Sequence, residues 1–258
     1  MRVFDFDHAI VREPGRSVVR GLRSDARAVP VYERVLNEHR AYVAALRAAG
    51  LEVDVLPPLE DFPDSVFVED PALVFPEGAV LLRPGAPSRL AEGEEMRSAL
   101  ARHFGRVLDL GGGYADGGDI LVTPQTVFIG LSKRTSRAGA EALHARLAEL
   151  GRRTRIVETP GTILHLKSAA ALLGEDTVVA TKAASGLFAG FRVLVTPDGE
   201  EGAANLLRVN DVAFVGDCYP RTLDLLAKEG PALRPLAVSE IAKLDAGLSC
   251  MSLRWHAK

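Results

Sequence analysis

Five glycines recur along the chain, each at the junction between an amphipathic helical segment and a short β-rich segment. They are Gly50, Gly105, Gly151, Gly190 and Gly230, and successive junctions lie 55, 46, 39 and 40 residues apart. Glycine is favoured directly after a helix because it tolerates the left-handed backbone there. Units that recur at such a period bury their apolar faces only against one another, which indicates a solenoid or a propeller.

Two further β-rich runs lie between each glycine-led strand and the next helix, for example at 119–122 and 126–129. Each unit is therefore expected to contain three strands and a helix. In the fifth unit the strand predicted at 248–255 is expected to pair with the run at 4–11, so that one unit is shared between distant parts of the chain. This sharing favours a closed α/β ring over an ordinary open α/β sheet.

Composition limits the class of protein. The 258 residues are 47% hydrophobic and 25% charged, which allows a full core, and we expect one domain over 1–258. A net charge of −3 with scattered charges disfavours nucleic-acid binding. The acidic segment at 1–7 does not resemble a signal peptide, and no apolar run reaches membrane-spanning length. We therefore expect a cytoplasmic protein with no membrane partner.

Each unit carries one conspicuous polar residue at or just before its second strand. In a radial arrangement these strand starts converge near the axis, so residues far apart in sequence are expected to form one polar cluster. The five residues are Asp70, Asp116, His165, Asn205 and Cys250.

The predicted cluster contains the parts of a nucleophilic site. Cys250 and His165 form a candidate nucleophile and base, and a carboxylate such as Asp116 would orient the imidazole. The only other cysteine is Cys218, for which we expect a structural role, so a disulfide framework is not indicated. The competing interpretations are an inert buried thiol and a histidine satisfied within the core.

Three acids, Asp64, Glu69 and Asp70, lie within seven residues of one another around the apolar run 66–68. Such a group repels itself unless a cation joins it, so a bound metal or a cationic substrate is indicated; a solvated loop is the competing interpretation. A metal is less favoured, because the histidines form no i,i+4 pair and no CxxC occurs. The glycines at 111–113 and 117–118 lack a phosphate-loop pattern and are interpreted as turn glycines that let the backbone bring Asp116 and Asp119 close.

Residues 62–71, Phe-Pro-Asp-Ser-Val-Phe-Val-Glu-Asp-Pro, resemble the signature of the dimethylarginine dimethylaminohydrolases. These enzymes belong to the guanidine-modifying superfamily of five-bladed α/β propellers, in which strand–strand–strand–helix units surround a central active site. Further matches follow in the family's order at 116–119, 131–135, 164–168, 203–205 and 248–250, so the resemblance extends over nearly the whole chain.

The resemblance implies roles for single residues. Cys250 would be the nucleophile, His165 the general acid and base, and Asp116 the acid that orients it. Leu22 would lie in a lid loop. The substrate guanidinium would be held by Asp64, Glu69 and Asp70, and the α-carboxylate by Arg89 and Arg134. At two places the chain departs from the pattern: Asp116 stands where some bacterial members have Glu, and Ala246-Gly247 stands where Gly-Gly is usual.

The implied reaction is hydrolysis of asymmetric dimethylarginine or monomethylarginine to citrulline, through a covalent thiouronium and without a cofactor or metal. An arginine deiminase is the nearest competing function, but such relatives typically have Arg in place of Glu69 and Asn in place of Asp64. A non-catalytic protein that binds arginine analogues and an amidinotransferase are two more distant possibilities. The sequence indicates neither an oligomeric state nor a preference among methylated arginines.

Overall fold

The structure is a computed structural model that describes residues 2–257. It contains five three-stranded sheets, and in each sheet the middle strand pairs antiparallel with one neighbour and parallel with the other. In chain order the strands are β1 (His8–Arg12), β2 (Glu52–Leu56), β3 (Ala72–Phe75), β4 (Gly78–Leu81), β5 (Val107–Asp109), β6 (Ile120–Val122), β7 (Val127–Leu131), β8 (Thr154–Glu158), β9 (Ala170–Leu172), β10 (Thr177–Ala180), β11 (Arg192–Val195), β12 (Leu207–Val209), β13 (Val212–Gly216), β14 (Ala232–Leu236) and β15 (Leu253–Trp255).

Four units contain an α-helix before the glycine-led strand. The helices are α1 (Tyr32–Ala48), α2 (Glu92–His103), α3 (Arg137–Glu149) and α4 (Pro220–Leu226). The segment before Gly190, at 182–189, has a weaker helical pattern than the others but still predicts a helix. The structure has instead a single 3-10 turn there, Ser185–Leu187, because Ser185 and Gly186 are weak helix formers. Four junction glycines have positive φ, between 74° and 99°. Three of them follow an α-helix, as expected, and Gly190 follows the 3-10 turn, whereas Gly105 has no positive φ.

The ring closes through the sheet of order β15-β1-β2. His8 lies opposite Trp255 in the antiparallel pair and opposite Glu52 in the parallel pair. The pairing predicted between residues 4–11 and 248–255 is therefore confirmed. The second of these strands is shorter than expected, because residues 248–251 form a 3-10 turn before β15 begins.

The helices pack between neighbouring sheets and build the core there. On α2, for example, Met96 and Leu100 are buried in one cluster with Ile10 of β1 and Leu81 of β4. One strand of each sheet, namely β3, β6, β9, β12 and β15, contributes residues to a single cavity along the axis. Each unit thus brings the loop before its inner strand to the centre. Among the helices of residues 2–257, none combines the length and the apolar character that a membrane crossing requires.

Candidate active site

A cavity of about 220 Å³ lies where the loops before the inner strands meet. The structure brings to its walls all but three of the residues expected in the site. Asp116 contacts the site through His165, Asn205 contacts Cys250 from behind, and Glu69 lies on the far side of the cavity floor. The cavity is lined by Leu22, Arg23, Ser24, Asp64, Phe67, Asp70, Arg89, Arg134, Leu164, His165, Leu244, Asp245, Ala246 and Cys250.

Cys250 lies within the 3-10 turn Leu248–Met251 and not in the strand predicted at 248–255. Asn205 holds this turn. Its Nδ2 donates to Cys250 Sγ at 3.5 Å, and its Oδ1 accepts from the Ser249 N–H at 3.1 Å. A Cβ at Gly247 would overlap the Asn205 side chain, whereas Ala246 is accommodated, so only the second residue of the usual Gly-Gly pair is required here.

The Cys250 thiol is held in its neutral form. Burial raises its pKa to about 11, and the negative charges of Glu69 and Asp70 act in the same direction. The Asn205 hydrogen bond lowers the pKa only partly in return. At neutral pH in the empty site, Cys250 is therefore a thiol and not a thiolate.

His165 has the opposite character. Its Nε2 lies 2.9 Å from Oδ2 of the fully buried Asp116, whose Oδ1 accepts from the Gly85 N–H at 2.7 Å. Burial alone would lower the His165 pKa, but the carboxylates of Asp70, Asp116 and Asp119 outweigh it and raise the pKa to about 9. His165 is therefore an imidazolium at neutral pH, poised to donate a proton.

Two glycines allow the carboxylates and the imidazole to approach so closely. A Cβ at Gly117 would overlap the carbonyl oxygen of Glu69, and a Cβ at Gly118 would lie 2.8 Å from His165 Cγ. Neither glycine has positive φ, so close approach, and not a turn conformation, explains them. The turn role applies to Gly111 and Gly113, which have φ values of 89° and 63°.

Asp70 is the central acid of the cavity. Its Oδ2 lies 2.5 Å from Arg89 Nη1, and its Oδ1 accepts from the Gly118 N–H at 3.0 Å. Burial opposes ionisation, but Arg89 and His165 together hold the pKa of Asp70 below its usual value. Arg89 is also bound by Glu92, through Nε at 3.0 Å and Nη2 at 2.7 Å. Glu92 was not singled out from the sequence, although its place three residues after Arg89 was a usable signal.

Asp64 and Arg134 complete the polar wall. Asp64 Oδ1 accepts from the Leu22 N–H at 2.9 Å, which ties the predicted lid loop to the cavity. Burial raises the pKa of Asp64 despite the positive charge of Arg89. Arg134 is half-buried and makes no ion pair within residues 2–257, whereas the Arg89 guanidinium is occupied by two carboxylates. Arg89 and Arg134 were both expected to bind the α-carboxylate of the substrate. Of these two, only Arg134 has a guanidinium that is not already paired with a carboxylate of the described chain.

Glu69 does not line this cavity, although the sequence groups it with Asp64 and Asp70. Its Oε2 accepts from Ser249 Oγ at 3.0 Å, and its Oε1 lies 2.6 Å from Lys167 Nζ and 3.1 Å from Arg254 Nη2. Its carboxylate instead lines the axial cavity. Lys167 and Arg254 were not singled out from the sequence.

Ligand atoms of Asp70, Asp116 and His165 lie within 4.8 Å of one another, which is close enough for a metal ion. The donor set fits a metal poorly at neutral pH. Asp70 is already paired with Arg89, and His165 carries a proton that a metal would have to displace.

The fold and this cavity define a member of the arginine deiminase family, whose model matches residues 58–205. N(G),N(G)-dimethylarginine dimethylaminohydrolase of Pseudomonas aeruginosa is 37% identical over 254 residues, which cover 97% of this chain and 100% of that protein. A solved mutant of that enzyme in complex with citrulline superposes with a TM-score of 0.93 at 37% identity, over 97% of this chain and 100% of that one. A further dimethylarginine dimethylaminohydrolase structure, an adduct with S-methyl-L-thiocitrulline, has a TM-score of 0.92 at 37% identity, over 96% and 99%.

Within this group, the chain belongs to the dimethylarginine dimethylaminohydrolase family. The predictions of the family and of an α/β propeller with five units are confirmed.

Proposed function

We propose that this protein hydrolyses asymmetric dimethylarginine and monomethylarginine to citrulline, releasing dimethylamine or methylamine. One observation carries the proposal: the cavity places the Cys250 thiol and the His165 imidazolium together with two buried carboxylates, Asp64 and Asp70. A delocalised guanidinium is a poor electrophile, so an enzyme must hold it firmly by its charge against the nucleophile.

Substrate binding follows from the state of each charged group. Asp70 and Asp64 receive the guanidinium, and Arg89 keeps Asp70 ionised and fixed in place. Arg134, the guanidinium without an ion pair in the described chain, receives the α-carboxylate, because a planar fork suits a carboxylate. Leu22 covers the site through its hydrogen bond to Asp64.

The first half of the reaction begins when substrate enters. The bound cation offsets the negative charge of Asp70, so the Cys250 proton leaves to solvent and the thiolate attacks the guanidinium carbon. His165 then gives its proton to the departing amine nitrogen as the C–N bond breaks. The product of this half is a thiouronium on Cys250.

The second half regenerates the enzyme. His165 is now neutral and accepts a proton from a water molecule that attacks the thiouronium carbon. The C–S bond breaks, citrulline forms, and Cys250 takes up a proton again. Asp116 supports the cationic form of His165 in both halves, through the 2.9 Å contact with Nε2.

The test is a comparison of citrulline formation from arginine, monomethylarginine and asymmetric dimethylarginine by the same preparation. We expect turnover of the two methylated substrates and little from arginine. Faster turnover of arginine would replace the proposal by an arginine deiminase, and binding without turnover would replace it by a non-catalytic binding protein. A domain over 1–258, a cytoplasmic location and the structural role of Cys218 stay predictions.

A further inference from the structure

A second cavity, of about 240 Å³, runs along the axis on the other side of the floor of the Cys250 cavity. Its walls are largely apolar and come from the inner strand of every sheet. They include Val74, Leu121, Leu172, Leu207 and Trp255. Because one water takes about 30 Å³ of liquid, this space suits a short hydrocarbon chain as well as it suits several waters.

The closed end of this axial cavity is formed by the loops that also build the active site. Glu69 precedes Asp70, Ser249 precedes Cys250, and Lys167 follows His165 by two residues. One residue of each loop faces the axial cavity, namely Glu69, Ser249 or Lys167. The other faces the Cys250 cavity, namely Asp70, Cys250 or His165. The two cavities therefore share a floor about one residue thick, yet they have separate linings.

Positive charge exceeds negative charge at this closed end. Lys167 and Arg254 both contact Glu69, and their side chains are only 12% and 11% exposed. No other carboxylate within residues 2–257 pairs with either cation. Asp70 does not compensate this charge, because its carboxylate lines the Cys250 cavity on the other side of the floor.

Arg254 also has an unused donor. Its Nη1 donates to Ser252 and to the Ser249 carbonyl, but its buried Nε has no hydrogen-bond partner in the described part of the chain. A buried donor without a partner costs about 1–3 kcal/mol. At the open end, by contrast, each arginine has an acid beside it: Arg2 pairs with Asp5, Arg208 lies 3.8 Å from Asp211, and Arg152 pairs with Glu77. The unmatched cation is thus confined to the closed end.

We propose that the axial cavity binds a small aliphatic carboxylate, with its headgroup at Arg254 and Lys167 and its chain along the apolar walls. Lys167 and Arg254 share the single carboxylate of Glu69, so one positive charge remains for the carboxylate of a ligand. The apolar walls favour a ligand whose remaining atoms form a hydrocarbon chain. A ligand bound there stays outside the Cys250 cavity. It is separated from the nucleophile only by Ser249, the neighbour of Cys250 in the chain, which donates a hydrogen bond to Glu69. The site does not depend on the hydrolase activity.

The test is calorimetric titration of the full chain with hexanoate, against hexan-1-ol and hexylammonium, which share its tail but not its charge. We expect saturable hexanoate binding, with both controls weaker by about tenfold or more. Arg254→Met and Lys167→Met should each weaken hexanoate binding by about ten- to hundredfold, the effect of one charge-assisted hydrogen bond. The matched control is Arg152→Met, which changes a paired arginine of the same cavity and should stay within about twofold of wild type.

Two measurements keep the outcome clear if a variant folds poorly. Saturating citrulline should leave hexanoate binding to wild type unchanged, because the linings are separate. Crystals soaked with 6-bromohexanoate should show the bromine signal in the axial cavity. Absence of hexanoate binding, displacement by citrulline, or a bromine position in the Cys250 cavity would each overturn the proposal.

Discussion

Glu69 and Asp70 are neighbours in the chain, but their carboxylates face opposite sides of the cavity floor. Asp70 Oδ2 lies 2.5 Å from Arg89 Nη1 in the Cys250 cavity, and Glu69 Oε1 lies 2.6 Å from Lys167 Nζ in the axial cavity. The first acid can contact a guanidinium directly. The second reaches the nucleophile only through Ser249.

This separation predicts unequal effects of two isosteric variants. Asp70→Asn should lower kcat/KM more than Glu69→Gln does, because Asp70 is the direct partner of the guanidinium. Loss of one charge-assisted contact in a desolvated site costs about 2–4 kcal/mol, or tens- to several hundredfold in rate. Steady-state kinetics with asymmetric dimethylarginine measure both variants. Equal and small losses would show that both acids are structural.

Replacing the sulfur tests the nucleophile. Cys250→Ser should abolish turnover and leave substrate affinity intact, because a hydroxyl is a much weaker nucleophile under the same base. Mass spectrometry of acid-quenched wild-type reactions should detect a covalent adduct on the Cys250 peptide. The matched control is Cys218→Ser, which alters the exposed cysteine and should keep wild-type turnover. An adduct on Cys218 would contradict the assignment.

His165→Gly should stop both half-reactions with methylated arginines, since one imidazole gives a proton and then takes one. With S-methyl-L-thiocitrulline the leaving group is a thiol, which departs with little need for a proton. The variant should therefore still form an adduct with this compound and hydrolyse it slowly. Turnover of asymmetric dimethylarginine at the wild-type rate would exclude His165 as the acid and base.

The pH dependence of Cys250 tests when the thiolate forms. Burial and the neighbouring acids raise the thiol pKa to about 11 in the empty site, so alkylation by a neutral reagent should accelerate as pH rises well above neutrality. The bound guanidinium offsets the negative charge of Asp70, so the thiol pKa that governs kcat should be lower. Alkylation of the free enzyme at full rate near pH 6 would instead indicate a standing thiolate–imidazolium pair.

Gly247 is predicted to be indispensable to the turn that carries Cys250. In Gly247→Ala the new Cβ would overlap Asn205, which donates to the sulfur, so kcat should fall and the free energy of unfolding should decrease by about 1–3 kcal/mol. Urea denaturation and kinetics measure the two effects. Gly112→Ala is the control, because its Cβ would meet open space. If both variants had the same kcat and the same free energy of unfolding, the turn would accommodate the new Cβ without strain, and the prediction would be wrong.

Much of the architecture could be predicted because it depends on periodic local signals. Apolar spacing and junction glycines placed the helices and the five parallel strands, and the missing partner of the last strand indicated the closure by β1. The helix expected at 182–189 was wrong, because Ser185 and Gly186 are weak helix formers and the segment forms only a 3-10 turn. The apolar residues there, Ala184 and Phe188, are buried in the core without a helix.

The site was only partly predictable for a different reason. Convergence of the loops follows from the repeat, but the direction of each side chain within a loop does not. Glu69 was therefore grouped with Asp70, and its partners Lys167 and Arg254 were missed. The family resemblance singled out Arg89, yet its pairing with Glu92 depends on the start of α2 folding beside it.

The pairing of β1 with β15 has a consequence for the order of events on the ribosome. β1 is synthesised early, but its antiparallel partner emerges about 240 residues later, together with the turn that bears Cys250. Until then β1 has only β2 beside it, and the pocket contains its acids but no thiol. The segment that completes the ring therefore also supplies the nucleophile, so a growing chain lacks the thiol of its site until the ring can close.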